Sequence, residues 1–212
     1  MGHTHGAEKS GRLIKEARNL GIPYFTLWIA SLDNLKKRPK DEVDFLGKVF
    51  VEYFTKLAGH PDIHKAKVKV RAYGFLEEVF TPEVVSAVRR AEQATAGYAE
   101  RQLSFLMGYD GQTELMEAIK KIAVEASRAP IDPAAITKDF VQRHLWTAEL
   151  PPVDFVIRTG ADNAPHWSGG FLMWHTAYSQ LYFTNTLFPD FTPEEFRKAI
   201  EDYGRRERRM GK

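Results

Sequence analysis

There is no cysteine among the 212 residues. That removes disulfides, thiolate nucleophiles and cysteine-ligated metals, and it fits a reducing cytoplasm. Long hydrophobic runs are missing as well: no window reaches about 18 consecutive apolar residues, the length a membrane-spanning helix needs. The opening stretch "MGHTHGAEKSG" has no apolar segment of the kind a signal peptide carries. Charge of one sign is not in excess either, and a net charge of +2 gives no footprint for nucleic-acid binding. HExxH, Walker A and GxGxxG patterns do not occur, nor do solenoid, collagen-like or low-complexity repeats. What is present is material for a sizeable core, 43% hydrophobic and 12% aromatic residues, over a length that fits one domain.

Five short apolar runs read as strands: Tyr24 to Ala30, Lys67 to Gly74, Gln102 to Tyr109, Val153 to Ile157 and Gln180 to Thr184. Most are near-continuous rather than alternating, as expected of parallel strands covered on both faces. Helical periodicities lie between them. Glu8 to Leu20 places Leu13, Ile14, Ala17 and Leu20 on one face, and Lys40 to Leu57 does the same with Val43, Leu46, Phe50 and Phe54. Further helical segments are Glu83 to Ala96, Gly111 to Ser127, Ile136 to Leu145 and Pro193 to Arg206. "TPE" occurs at Thr81 and at Thr192, each reading as an N-cap threonine, a proline in the first turn and an acidic residue behind it. The opening "GHTHG" reads as the end of a loop feeding a helix, and "FLMWHTAY" (Phe171 to Tyr178) as helix and core. Alternating strands and helices predict a three-layer α/β domain, a mostly parallel β-sheet flanked by helices. In such sheets ligands bind at the carboxyl ends of the strands.

The strand ends therefore supply the candidates. After the first strand come Ser31, Asp33, Asn34, Arg38 and Glu42, which read either as a capped helix with a surface loop or as a polar site. After the third, Asp110-Gly111 reads as a tight turn into a helix. After "VDFVI" stands Arg158, whose rigid fork of donors suits phosphate. Gly160, Gly169, Gly170 and Ser168 follow it in a loop whose bare backbone could cradle an anion. His3 and His5 have no third ligand positioned by spacing. The basic tail "RRERRMGK" reads as a helix terminus favoured by the dipole or as an arm that reaches a phosphate.

Several blocks, in matching order and spacing over nearly the whole chain, resemble the cis-prenyltransferase (undecaprenyl diphosphate synthase) family: "GHTHGAE", "LGIPYFTLWIASLDNLKKRPKDEVDFL", "LSFLMGYDGQTELMEAIKKIA", "ELPPVDFVIRTG", "FLMWHTAYSQLYFTNTLFPDF" and "RRERRMG". The resemblance implies a parallel sheet with flanking helices, usually as a homodimer in the cytoplasm. It implies condensation of isopentenyl diphosphate with an allylic diphosphate such as farnesyl diphosphate, assisted by Mg2+. The lipid product would bring peripheral membrane association. By position, His3 and Asn34 are the expected catalytic residues. Ser31, Arg38 and Glu42 match a substrate-binding loop, Arg158 the arginine that holds isopentenyl diphosphate, and Arg209 with Gly211 the tail motif that completes the partner's site. Leu35 stands where the family has an aromatic residue. Phe50, Phe54 and Leu106 are candidates for the floor of the prenyl tunnel.

Three departures go with the resemblance. The family's "DGNRRWA" block would lie upstream of "GHTHG", so Met1 is expected to be internal to a longer chain whose first strand is absent here. The R-x-S element after "IRTG" is replaced by a longer loop, where His166, Ser168 and Gly169 are the expected substrate contacts. Gln180 occupies the place of a metal-binding glutamate, and an amide is a weaker ligand for a hard cation. An elongating prenyltransferase is the expected function; the alternative is a non-catalytic subunit of the same fold that supports an active partner or binds a prenyl lipid.

Overall fold

The computed structural model describes residues 2–160, 168 and 170–207, with residues 2–9 described by their backbone alone. In chain order the elements are α1 (Gly2–Asn19), β1 (Tyr24–Ser31), α2 (Leu32–Lys37), α3 (Lys40–Ala58), α4 (Pro61–Lys65), β2 (Val68–Tyr73), α5 (Leu76–Val79), α6 (Pro82–Ala94), β3 (Arg101–Tyr109), α7 (Gly111–Arg128), α8 (Lys138–Gln142), β4 (Phe155–Thr159), β5 (Gln180–Thr184) and α9 (Pro193–Arg205). The fold is α/β with parallel strand pairing, and all five expected strands are present. The chain forms two compact units. The larger is Pro23–Pro151 with Gly169–His175; the smaller is Met1–Ile22, Pro152–Ser168 and Thr176–Lys212.

In the larger unit the strand order is β1-β3-β2. β3 takes the centre and is buried at every position from Gln102 to Tyr109, which is why its sequence runs apolar without alternating. α3 and α6 pack against each other. The predicted face of α3 is the buried one: Leu46, Phe50 and Phe54 are in the core, and Phe54 meets Phe105 of β3 edge-on with ring centroids 5.1 Å apart. β2 is an edge strand whose outward amides would invite another strand. α6 blocks that: the Val70 N–H donates to Thr95 Oγ1 and the Ala72 N–H to Glu92 Oε1, each at 2.9 Å. Buried Glu92 is in turn met by Arg89 Nη1 at 2.7 Å.

The smaller unit holds the parallel pair β4-β5 with α1 and α9. Arg197 of α9 donates through Nε and Nη2 to Glu16 Oε1 of α1, at 3.0 and 2.8 Å, across 181 positions of sequence. On α1 the predicted face is buried at Leu13 and Ala17, whereas Leu20 lies past the helix end and is exposed.

Four expectations need correction. The backbone is already helical at Gly2, so "GHTHG" is helix rather than loop. The two "TPE" copies differ: Thr192 forms a full capping box with Glu195, but Thr81 makes no side-chain cap bond. The Ile136 to Leu145 helix shrinks to Lys138–Gln142, capped by Thr137, because the chain beyond Arg143 turns back and buries Leu145. "FLMWHTAY" is core without helix. Leu172 has φ +42°, a left-handed value that breaks a helical ladder, and the His175 N–H reaches back to the Leu172 carbonyl in a turn. Leu172 and His175 are buried there, while Tyr178 is 84% exposed.

Lys69 Nζ, Arg71 Nε and Tyr73 OH, all of β2, donate to the Glu149 carboxylate at 2.6, 2.6 and 2.8 Å. Burial opposes ionisation of this group, yet the hydrogen bonds from Lys69, Tyr73 and Arg71 pull the carboxyl down to about 2, below its ordinary 4.5. A depressed carboxylate contributes stability above its unfolded value and loses it as pH falls through the folded one. The stability gap between wild type and Glu149→Gln, measured by urea unfolding, is therefore expected to shrink between about pH 5 and about pH 2.5. A gap that stays constant would show that the carboxylate adds nothing.

Candidate active site

At the carboxyl end of β1, Ser31 is paired in register with Tyr109, the last residue of β3. Ser31 is extended and its Oγ accepts the Asn34 N–H at 3.1 Å, so it is the N-cap of α2. Leu32 and Leu35 turn into the core, which leaves Asn34 on the exposed side of this short helix. The Asn34 side-chain amide makes no hydrogen bond with any described residue. Arg38 closes α2: its N–H donates to the Asn34 carbonyl at 3.0 Å, and Nη1 lies 3.1 Å from Glu42 Oε1 in the first turn of α3. Ser31, Asn34, Arg38 and Glu42 are thus one local constellation. Ser31 caps α2, as the capped-helix reading of this stretch expected, and Arg38 is ion-paired, while the Asn34 amide remains available. The residues named for a tunnel floor, Phe50, Phe54 and Leu106, are all buried in the same unit.

The same strand ends carry a second layer that sequence reasoning treated only as structure. Asp110 Oδ1 accepts the Thr113 N–H and hydroxyl at 2.9 and 3.0 Å and caps α7. Over that cap lies the turn Gly170 to Trp174. A Cβ on Gly170 would come within 2.6 Å of Asp110 Oδ2 and 3.3 Å of the Trp28 ring, and one on Gly111 within 2.8 Å of the Gly170 carbonyl oxygen, so both positions require glycine for close approach. Phe171 lies with its ring 6.0 Å from Trp28. Beneath the turn runs a buried polar chain. Tyr109 OH donates to Glu114 Oε2 at 2.5 Å, and the Thr147 N–H and hydroxyl donate to Glu114 Oε1 at 2.9 and 2.7 Å. His175 Nε2 is 2.9 Å from Thr147 Oγ1. Burial pushes the Tyr109 phenol up, helped by the Glu114 charge, and pushes the His175 imidazole down against that same charge. No short motif points to this chain, because its members are joined only by the fold.

In the smaller unit Arg158 sits near the carboxyl end of β4, paired with Phe183. Gly160 follows with φ +63°, and its N–H donates to the Thr186 carbonyl at 2.9 Å. Arg158 Nε is buried and has no hydrogen-bond partner among the described residues. A buried cationic donor without an acceptor is costly, and an anion would remove that cost. Ser168, the one described residue between Gly160 and Gly170, is half-buried. His166, Gly169, Arg209 and Gly211 lie outside the described residues. So does the His3 side chain, although its backbone belongs to α1.

Gln180 is at the other end of the pair. It opens β5 opposite Phe155, three residues before the partner of Arg158, which is about 10 Å at about 3.3 Å per residue. Its Oε1 accepts from Arg206 Nη1 at 3.4 Å, while Arg206 is also held by Asp202 and the Leu181 carbonyl. An amide oxygen turned to a guanidinium does not fit a hard cation. Among the described residues no three His, Cys, Asp or Glu side chains are grouped to hold a metal.

Comparison with known proteins gives a consistent result. The sequence matches the prenyltransferase family described as undecaprenyl diphosphate synthase over residues 1–211. It is 38% identical to the tritrans,polycis-undecaprenyl-diphosphate synthase (geranylgeranyl-diphosphate specific) of Methanocaldococcus jannaschii, over 100% of this chain and 74% of that protein. It is 37% identical to the isoprenyl transferase of Thermus thermophilus, over 100% of this chain and 80% of that protein. Among solved structures it resembles lavandulyl diphosphate synthase from Lavandula x intermedia in complex with dimethylallyl diphosphate, with TM-score 0.88, 25% identity, and 99% and 88% of the two chains covered.

The Arg158 Nε, without a described acceptor, predicts a direct measurement. Titration calorimetry with inorganic pyrophosphate is expected to show binding weakened at least about tenfold in Arg158→Ala, roughly 1.4 kcal/mol. Arg158→Lys should recover only part of it, since a point charge replaces a planar fork. Unchanged binding in Arg158→Ala would place the anion elsewhere.

Proposed function

Because the chain belongs to the undecaprenyl diphosphate synthase family of cis-prenyltransferases, we propose that it is a chain-elongating prenyltransferase that condenses isopentenyl diphosphate with an allylic diphosphate to make a polyprenyl diphosphate. The observation that carries this reading is Arg158, near a strand's carboxyl end, with a buried Nε that has no acceptor among the described residues. Its fork suits the diphosphate of isopentenyl diphosphate.

The chemistry asks for what these residues supply. The allylic C–O bond breaks and its electron pair leaves with the diphosphate. The double bond of isopentenyl diphosphate attacks the resulting electron-poor carbon, and a proton is then lost to form the new double bond. Fixed cationic donors stabilise the departing charge. Apolar walls keep water from the carbocation-like carbon. In this reading the available Asn34 amide and the His3 imidazole position the substrate for proton loss, with Ser31, Arg38 and Glu42 framing the loop that bears Asn34. His166, Ser168 and Gly169 contribute to the diphosphate loop, and Arg209 with Gly211 complete the site of a second copy in a homodimer. We read residues 1–212 as one catalytic domain working in the cytoplasm. No helix of the described residues is long and apolar enough to cross a membrane, and association with one would be peripheral, through the product. Magnesium dependence is part of the proposal, but Gln180 is not assigned to hold the ion and no step is built on it.

Incubation with labelled isopentenyl diphosphate and farnesyl or geranylgeranyl diphosphate is expected to give magnesium-dependent labelling of longer lipids, abolished by EDTA and restored by Mg2+. Asn34→Ala is expected to lower kcat about 100-fold, the lower range for proton-transfer catalysis. Failure of the full protein to extend any short allylic primer would sink the proposal. Near-full turnover in both His3→Ala and Asn34→Ala would remove those two residues from it.

A further inference from the structure

Gln180 stands where the resemblance expects a metal-binding glutamate, and the group it faces is itself a cation. Arg206, the C-cap of α9, spends four of a guanidinium's five donors inside the smaller unit. Nε and Nη2 donate to Asp202 Oδ2 at 2.9 and 2.5 Å. Nη1 donates to the Leu181 carbonyl at 2.9 Å and to Gln180 Oε1 at 3.4 Å. The guanidinium also lies 5.5 Å from the centre of the Phe155 ring, and Phe155 is the register partner of Gln180. A planar fork held by the end of a helix, the start of a strand and a ring is a fixed charge.

That charge sits on the side of Gln180 that a metal would need. A divalent ion on Gln180 Oε1 would lie beside the guanidinium, where like charges repel. The Asp202 carboxylate is taken by the same guanidinium. The backbone of residue 180 is fixed too: its N–H donates to the Asp154 carbonyl at 3.0 Å, and β5 pairs with β4 from this residue onward. A glutamate at 180 would start from the same backbone and meet the same Nη1.

We infer that Arg206 is the resident cation of the β5 amino end: with Asp202 and residue 180 it takes the place of a divalent ion, and it captures a glutamate at 180 as an ion pair. The departure at residue 180 is then a property of the Gln180–Arg206 pair and not of the amide alone. Restoring the carboxylate would not restore a metal site. The inference takes from the family reading only the expectation of a metal ligand at 180, and it rests on geometry for the rest.

Metal binding is read without substrate, from the free Mn2+ signal in electron paramagnetic resonance and from urea unfolding in Mg2+ or EDTA. Gln180→Glu is expected to raise the unfolding midpoint by the same amount in Mg2+ as in EDTA. The gain should fade in about 0.5 M NaCl, as that of a partly exposed ion pair does. Its Mn2+ affinity should stay within about twofold of wild type. Gln180→Glu combined with Arg206→Met removes the guanidinium and frees both carboxylates. It should bind Mn2+ at least about tenfold more tightly than wild type, and Mg2+ should then raise its midpoint. A methionine double variant that folds and keeps wild-type metal affinity overturns the inference. So does tighter Mn2+ binding, or a Mg2+-dependent midpoint, in Gln180→Glu alone. That single variant changes one terminal group, so it decides the matter even where the double variant does not fold. No turnover is measured: a failure of the proposed reaction leaves this result standing, and a failure here leaves the reaction standing.

Discussion

Parallel pairing of β3 with β1 on one side and β2 on the other is the constraint from which the larger unit follows. Parallel strands end together, so the polar residues that stop each strand gather on one side. Ser31 and Tyr109 are opposite one another for this reason, although they are far apart in sequence. The helix capped by Ser31 and the helix capped by Asp110 start from that same edge. β4 and β5 obey the same rule in the smaller unit, which puts Arg158 and Gly160 toward the carboxyl end and Gln180 at the amino end. Pairing direction thus separates two residues that a motif comparison would group.

Buried polar groups divide into two kinds, and the division distinguishes scaffold from site. Glu92 and Glu114 are buried carboxylates whose oxygens are supplied with donors: a strand amide and Arg89 for the first, a phenol, a hydroxyl and an amide for the second. They fix an edge and a turn. Arg158 is the contrary case, a buried donor with nothing described to accept from it. In the proposed reaction the substrate diphosphate completes it. The Asn34 amide, exposed on a short helix whose other side is core, has the same character at lower cost.

Fold class and all five strands were legible because continuous apolar runs report double-sided burial, a local property. The faces of α1, at Leu13 and Ala17, and of α3, at Leu46, Phe50 and Phe54, followed from helical periodicity, and Thr192 from the local rules of capping. Legibility stopped where the outcome depended on partners. Thr81 has the same three-residue context as Thr192 but makes no cap bond. "FLMWHTAY" has the apolar content of a core helix, but seating Gly170 against Gly111 and burying His175 over Thr147 forces turns and a left-handed Leu172.

By itself the sequence determined which residues were available for chemistry at the strand ends: Ser31, Asn34, Arg38, Arg158. Residue type and order are enough for that, because a parallel α/β chain delivers the residues after each strand to one side of its sheet. Only tertiary structure decided their state. Ser31 is spent as a cap, Arg38 is paired with Glu42, Gln180 faces Arg206, and Arg158 has no described acceptor. Hydrogen bonds and ion pairs are settled by distances of about 3 Å, and those distances arise only when segments remote in sequence have packed.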